Sequence, residues 1–402
     1  MSGSSTCALV FGGSVTALGI CRNLGLNGIK VYCVNENLNE VAFSKFCTKF
    51  FKIREIEHDA NVLSSFLDEL RLPVADKAVL FPASDLFCLA IAKISVNLPD
   101  KYVYLSNPIA VETLVDKTKF CLSLADTNIS HPTTQVLDTA NLETVKKKLT
   151  YPILIKPAVT QDFWRFNTKS IVAQNSTELD TSIDPVITQK IPVVLQEIVP
   201  GPPTNLLGIA GYMDHNNELK GVFSYRRIRG WPIDFGCNSL IESIPVKEVS
   251  EIKESLEDYL KRIKYCGLFE AEFKRDDRDG VTKIIEINAR GWWQNHFPTV
   301  CGLNLVLMAY LDAIGKHVKY RETYKTGLKC IHSFGDMRAS MTMFQNGELG
   351  LSEWLYSIRH VIDYPYFNAK DLLPSLSNPL FAGPVYIKEL LRKLFILEKP
   401  LR

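Results

Sequence analysis

The sequence predicts a mixed α/β and α+β protein, with an open α/β domain first and a largely antiparallel region after it. Three stretches predict this. Residues 8–11 form a short apolar strand that runs through Gly12-Gly13-Ser14 into a helical pattern at 15–26 and a second strand at 30–35, a β-α-β unit. Residues 205–213 and 219–228 flank a turn at 214–218, as two antiparallel strands do. Residues 267–290 read as a β-hairpin, because 268–274 and 284–288 alternate apolar and polar and the charged run 275–280 ends in Asp279-Gly280.

The glycine turn of the first unit sets backbone N–H groups at a helix N-terminus, where an anion could bind. It lacks the G-x-G-x-x-G spacing of a dinucleotide site, so a tight structural turn is the favoured reading. Residues 77–81 make another apolar strand, followed by a helix at 86–94. Asp85 is expected to cap that helix rather than to face a crevice at the strand end. Asn107-Pro108 closes the domain near residue 110.

Residues 109–126 read as one or two helices containing Lys117, and 142–149 as a basic helix. Residues 151–157 form a buried strand ending in Lys156. A lysine there needs a partner, since a buried unpaired ammonium is costly; phosphate oxygens or an acidic neighbour would serve. Residues 193–199 are a strand with Gln196 and Glu197 inside it. Arg227 and Arg229, at alternating spacing, share a face, either solvated or ready to clamp a polyphosphate or carboxylate. A helix at 249–265 precedes the hairpin, and one at 303–314 follows it. Residues 385–397 carry a basic amphipathic pattern of the kind that packs on its own protein.

The hairpin holds the sharpest signal. Glu270 and Glu272 point one way with Glu286 and Asn288, and Phe273, Ile285 and Ile287 point into a core. A loop of odd length sets Glu272 opposite Glu286 and Glu270 opposite Asn288. Facing like charges destabilise a sheet, a cation between them removes the conflict, and carboxylates with one amide oxygen suit Mg²⁺. Arg290 follows at once, placed to hold an anion beside that metal. A charged face that simply meets water is the other reading.

Composition bounds the rest. With 402 residues, 46% hydrophobic and 22% charged, the chain can bury a sizeable core in two or three domains. A formal charge of +2 argues against a protein whose task is coating nucleic acid or an acidic membrane. Ten scattered cysteines with no C-x-x-C pair, no signal peptide and no run long enough to span a membrane point to a reducing, cytoplasmic location with cysteines as small buried hydrophobes. No Ser-His-Asp or Cys-His set is convincing, and the lone His296 reads as structural.

Taken in order, Asp116-Lys117, Ile155-Lys156-Pro157, Leu195-Gln196-Glu197 and Glu286-Ile287-Asn288-Ala289-Arg290 resemble the ATP-grasp superfamily over roughly residues 1–320. Residues 156–169, Arg226 to Asp234 with Gly236, and 272–280 look like the carboxylate–amine ligases of the D-aspartate ligase type. The resemblance implies a Rossmann-like pre-ATP-grasp domain (1–110), a small lobe (111–195), a large lobe carrying the hairpin (196–320) and a mostly helical C-terminal extension (321–402). It implies that Lys117 and Lys156 contact nucleotide phosphates and that Gln196, Glu197 and Val199 form a hinge reading adenine. By the same resemblance Glu272, Glu286 and Asn288 hold Mg²⁺, which Mn²⁺ could replace, Arg290 steadies an acyl phosphate or substrate carboxylate, and Arg227 and Arg229 follow as weaker carry-overs.

The implied activity is ATP-dependent joining of a small carboxylate to an amine, with Arg290 and Lys156 as the catalytic residues, no nucleic-acid partner and room for a homodimer. An ATP-binding module without catalysis is the alternative; a dinucleotide-dependent oxidoreductase lacks its fingerprint. The segment 157–170 has no glycine, where many relatives close a glycine-rich loop over phosphates.

Overall fold

The computed structural model describes residues 6–54, 60–72, 77–137, 142–159, 170–233 and 236–377. Most of the glycine-free loop (160–169), Asp234 and the basic amphipathic pattern at 385–397 lie outside the described residues.

The first sheet is parallel. It contains β1 (Thr6–Phe11), β2 (Val31–Asn35), β3 (Cys47–Lys52), β4 (Lys77–Pro82) and β5 (Tyr102–Val103), in the order β3-β2-β1-β4-β5. Helices α1 (Ser14–Gly25), α2 (Ala60–Glu69) and α3 (Asp85–Ile94) provide crossovers. Residues 7–11 of β1 are all buried, which is why this strand reads as a continuous apolar run rather than an alternating one. The turn into α1 needs its glycines. Gly12 has φ +122°, and a Cβ on Gly13 would lie 2.6 Å from the Asn39 amide nitrogen.

Two short helices follow, α4 (Pro108–Val115) and α5 (Lys117–Leu124), separated by Asp116, whose side chain caps α5 by accepting from the Thr118 and Lys119 amides. The second sheet is antiparallel: β6 (Thr134–Val136), β7 (Ile153–Pro157), β8 (Ile171–Ala173) and β9 (Val193–Glu197), in the order β6-β9-β7-β8. Helices α6 (Leu142–Lys148) and α7 (Ser176–Thr188) pack against it through Val145, Leu179 and Ile183.

The third sheet is the largest. β10 (Leu206–Met213), β11 (Leu219–Trp231) and β12 (Cys237–Ile244) form a meander, and α8 (Ser250–Arg262) leads to β13 (Gly267–Arg275) and β14 (Thr282–Asn288). Helices α9 (Phe297–Cys301) and α10 (Leu305–Ala313) come next. Residues 321–377, expected as part of a mostly helical extension, hold α11 (Ser333–Gln345) and α12 (Leu351–Ser357) but also extend this sheet with β15 (Lys329–Ile331) and β16 (Val361–Asp363). The strand order is β14-β13-β10-β11-β12-β15-β16.

One core runs from α1 and β1 through α10 to the face of the large sheet at Tyr212 and Phe223. A second lies behind the hairpin, where Ala271, Phe273, Ile284 and Ile287 meet Leu256 and Leu260 of α8 and Val111 and Leu114 of α4. The Arg22–Asp371 ion pair, with both side chains 1% exposed, ties α1 to the end of the described chain.

The hairpin differs from expectation in an informative way. Glu272 does pair with Glu286, and Glu270 with Asn288. Yet the loop, residues 276–281, is even in length, and Phe273 pairs with Ile284. A β-bulge between Glu272 and Phe273 supplies the odd residue. It moves Ile285 out of the core, where Ile284 takes its place, and Ile285 lines the neighbouring cleft instead. An unbroken ladder would have set Lys283 on the core face; with the bulge, its ammonium reaches Asp276 at 2.6 Å.

All ten cysteines are free thiols, and seven are buried; Cys237 is the exposed one. Among the described residues no helix is long and apolar enough to cross a membrane.

Candidate active site

A cleft of about 680 Å³, counting space open to solvent, lies between the second sheet, the hairpin and the α4–α5 corner. Lys117, Lys156, Gln196, Glu286 and Asn288 line it, with an apolar floor that includes Leu114, Phe120 and Ile285.

The two lysines converge through local structure. Lys156 ends β7, and its Nζ donates to Gln196 Oε1 at 2.7 Å; Gln196 in turn donates to Thr134 Oγ1 at 3.2 Å. Lys117 opens α5, and its backbone N–H donates to the Ala158 carbonyl at 2.8 Å, which draws α5 onto the end of β7. Burial pushes the Lys156 pKa down to about 8, with Lys117 lowering it further and Glu286 and Glu272 opposing.

The acidic side is one connected network. Glu272 and Glu286 face each other across the ladder, and burial followed by the Glu286 charge raises the Glu272 pKa, while Arg227 works against the rise. Asn238 of β12 donates to Glu272 Oε1 at 3.2 Å and accepts from Arg227 Nε. Glu270 lies deeper and accepts from the Tyr225 hydroxyl at 2.5 Å and from Asn288 Nδ2 at 3.1 Å. Burial, then the charge of Glu272, lifts its pKa to about 8. Gly208 of β10 pairs with both Tyr225 and Glu272. A Cβ there would meet the Tyr225 ring at 2.0 Å, so the missing side chain is what lets the tyrosine cross the strand to Glu270.

Arg290 completes the network. It donates from Nε to Asp85 Oδ1 at 2.5 Å, from NH1 to the Gly291 carbonyl and from NH2 to Asn288 Oδ1, both at 3.0 Å. Asp85 is therefore not the cap of α3. Ser84 caps it, accepting from the Phe87 amide, which leaves Asp85 at the strand's carboxyl end to fix the arginine. This is the crevice position that the helix-cap reading had set aside.

No family model matches this chain. In sequence it is 21% identical over 330 residues to D-aspartate ligase of Enterococcus faecium strain Aus0004, covering 74% of this chain and 77% of that protein. In structure it is similar to N5-carboxyaminoimidazole synthetase from Staphylococcus aureus complexed with ADP, with TM-score 0.62, 12% identity and 81% of each chain covered. It is also similar to L-amino acid ligase from Bacillus licheniformis, with TM-score 0.59, 15% identity and 82% and 79% covered. The chain has the ATP-grasp fold.

On this fold the structure gathers Lys117, Lys156, Gln196, Glu286 and Asn288 at one cleft, with Glu272 across the ladder and Arg290 bound to Asn288 and Asp85. It does not bring every expected residue there. Glu197 accepts from the Thr133 amide and pairs with Arg278 of the hairpin loop at 2.5 Å, and Val199 is buried; neither is among the residues lining the cleft. Arg229 and Asp336 form a buried pair, 3% and 2% exposed, and Arg229 also donates to Ser357 Oγ. The ladder is irregular on both sides of Arg229, so it does not continue the alternation from Arg227. His296 bonds to Asp363 in the interior, as a structural histidine does. Tyr225, Asn238 and Thr134 are site neighbours that the sequence reading missed. Asn238 and Ser239 are adjacent polar residues at the start of β12, and nothing local says which strand Asn238 will face.

Proposed function

We propose that this protein is an ADP-forming ATP-grasp ligase that activates a carboxylate as an acyl phosphate and joins it to an amine. The D-aspartate ligase and L-amino acid ligase likenesses support this reading. The single observation that carries it is the pairing of Glu272 with Glu286 beside Arg290, at a cleft that also presents Lys117 and Lys156. In this reading residues 1–110 are the pre-ATP-grasp domain, 111–195 and 196–320 the two lobes, and 321–402 the extension.

The donor set fits Mg²⁺. Among the described residues no group of three or more His, Cys, Asp or Glu side chains could hold a metal alone. Two carboxylates and an amide oxygen make an open set, and Mg²⁺ is commonly held by one or two carboxylates together with substrate phosphates. Glu272, Glu286 and Asn288 would hold it, and the bound ion would neutralise charge on the phosphate chain.

The protein's own groups do the rest. A carboxylate oxygen of the acid bonds to the terminal phosphorus of ATP, and the bond to ADP breaks. Lys117 and Lys156 offset charge on the phosphoryl oxygens, and Arg290 orients the acid; positioning and electrostatics supply most of the catalysis. The amine nitrogen then bonds to the acyl carbon, inorganic phosphate leaves, and the nitrogen gives up a proton as the amide forms. Thus no protein nucleophile is required. Gln196 holds the Lys156 ammonium through one hydrogen bond. Asp85 holds the arginine through its Nε.

The test is release of ADP and phosphate by the full-length protein with ATP, Mg²⁺ and a panel of acids and amines. Release that depends on both partners is expected. Tight ADP binding with no turnover on any pair would instead favour a binding module.

A further inference from the structure

Arg290 borders a second cleft, of about 400 Å³, between the carboxyl ends of β4 and β5 and the start of β13. Asp85 and Asn288, which hold the arginine, line the first cleft, whereas Arg290 itself lines the second. Arg290 thus lines the second space while its guanidinium is bonded to residues of the first. The second space has a distinct chemistry. Its walls include Leu80, Leu105, Leu268 and Ala309, and its polar side chains besides Arg290 are the hydroxyls of Tyr104 and Ser106. Among the described residues lining it there is no lysine, histidine, aspartate or glutamate.

We propose that this second cleft seats the acid to be activated, and that the acid is a small monocarboxylate with an apolar body rather than an amino diacid. The inference rests on the ligase reading and adds the substrate class to it. Arg290 has five N–H donors. Asp85, the Gly291 carbonyl and Asn288 Oδ1 take three, so two remain, enough for one carboxylate. An amino diacid such as aspartate brings a second carboxylate and an ammonium. Among the described residues lining the cleft neither finds a charged partner once Arg290 holds the first carboxylate, and burying an ion without a partner is strongly unfavourable. A short hydrocarbon body meets leucine and alanine side chains instead. Its carboxylate then sits on the arginine, beside the cleft where the lysines and facing glutamates converge. The D-aspartate ligase relative is named for a diacid; the walls described here favour a different acid.

The experiment has two arms, both on the full-length protein. In the first, ATP, Mg²⁺ and hydroxylamine trap the acyl phosphate as a hydroxamate while the acid is varied at equal concentration. Propionate, butyrate and isovalerate are expected to exceed D-aspartate, L-aspartate and L-glutamate by tenfold or more, and a diacid that matches or beats them overturns the proposal. The second arm needs no turnover. Saturation-transfer NMR detects butyrate binding with ADP present, and Ala309→Phe, which fills the cleft from α10, is expected to abolish that signal while ADP affinity stays within twofold. If Ala309→Phe fails to fold, Ala309→Leu replaces it, with at least a threefold loss of butyrate affinity expected. Butyrate binding lost on filling the cleft, without hydroxamate from any acid, would keep the cleft assignment and overturn the ligase reading. Butyrate binding that is absent, or indifferent to both substitutions, overturns the cleft assignment.

Discussion

Glu272 and Glu286 stand directly opposite each other on β13 and β14, two carboxylates in one cross-strand pair. A pair of like charges in that position is an unfavourable contact unless something positive joins it. Glu286→Gln removes one charge and keeps the shape. Mg²⁺-dependent ADP release is expected to fall by about 10²-fold or more, the scale seen when one preorganised electrostatic contact is removed. The thermal midpoint should hold or rise, because the repulsion goes too. Steady-state ADP release and calorimetry on the same preparation check both halves, and wild-type turnover would sink the metal assignment.

Lys156 carries a pH signature. Its pKa in the free protein is depressed to about 8 by burial and by Lys117 on α5, against the pull of Glu286 and Glu272 on the hairpin; Gln196 of β9 is its neutral partner. Phosphate oxygens favour the ammonium, so binding raises this pKa. Below pH 8 the lysine is already charged and ADP affinity should be flat. Above pH 8 a proton must be taken up on binding, and affinity should weaken by up to about tenfold per unit. Titration calorimetry in buffers of different ionisation enthalpy reads the proton uptake directly. Lys156→Met should remove the slope along with most of the affinity.

Glu270 orients Asn288. It accepts from Asn288 Nδ2, which turns the amide oxygen toward Arg290 and the cleft. Glu270→Gln can present an NH₂ to that amide and turn it over. The Mg²⁺ concentration for half-maximal activity is expected to rise by about 10–100-fold, the usual cost of losing a group that orients a metal ligand. Metal-free ADP affinity should stay within twofold. An unchanged Mg²⁺ requirement would make Glu270 a packing residue only.

Arg229 serves the fold rather than the ligand. Its guanidinium grips both oxygens of Asp336 at 2.8 and 2.9 Å in the interior between β11 and α11. Arg229→Met leaves that carboxylate buried without its cation. A loss of roughly 3–5 kcal/mol of stability is expected by chemical denaturation, the range for breaking a buried ion pair. ADP affinity, measured well below the unfolding transition, should not move.

What the sequence made legible follows a physical line. The glycine turn after β1, the helices around Lys117 and the Glu272–Glu286 and Glu270–Asn288 pairs depend on neighbours within a few residues, and they stand where the pattern placed them. Lys156 and Gln196 were readable as polar residues in apolar strands, but the hydrogen bond between them depends on the β7–β9 pairing. Ile285 was misplaced because a bulge leaves no mark in alternation until the partner strand is known. Asp85 and Ser84 are both good caps, and only Arg290, far along the chain, decides between them. Arg229 looked like a ligand-binding cation because Asp336, its partner, is more than a hundred residues away.

The bulge at Ile285 also divides the hairpin mechanically. Beyond it, the turn is bolted to the second sheet through Asp276, Arg278 and Glu197. β13 keeps one register with β10 on both sides of it, from Gly267 to Lys274. The shift is therefore confined to the pairing of β13 with β14, and the Glu272–Glu286 and Glu270–Asn288 pairs lie wholly on one side of it.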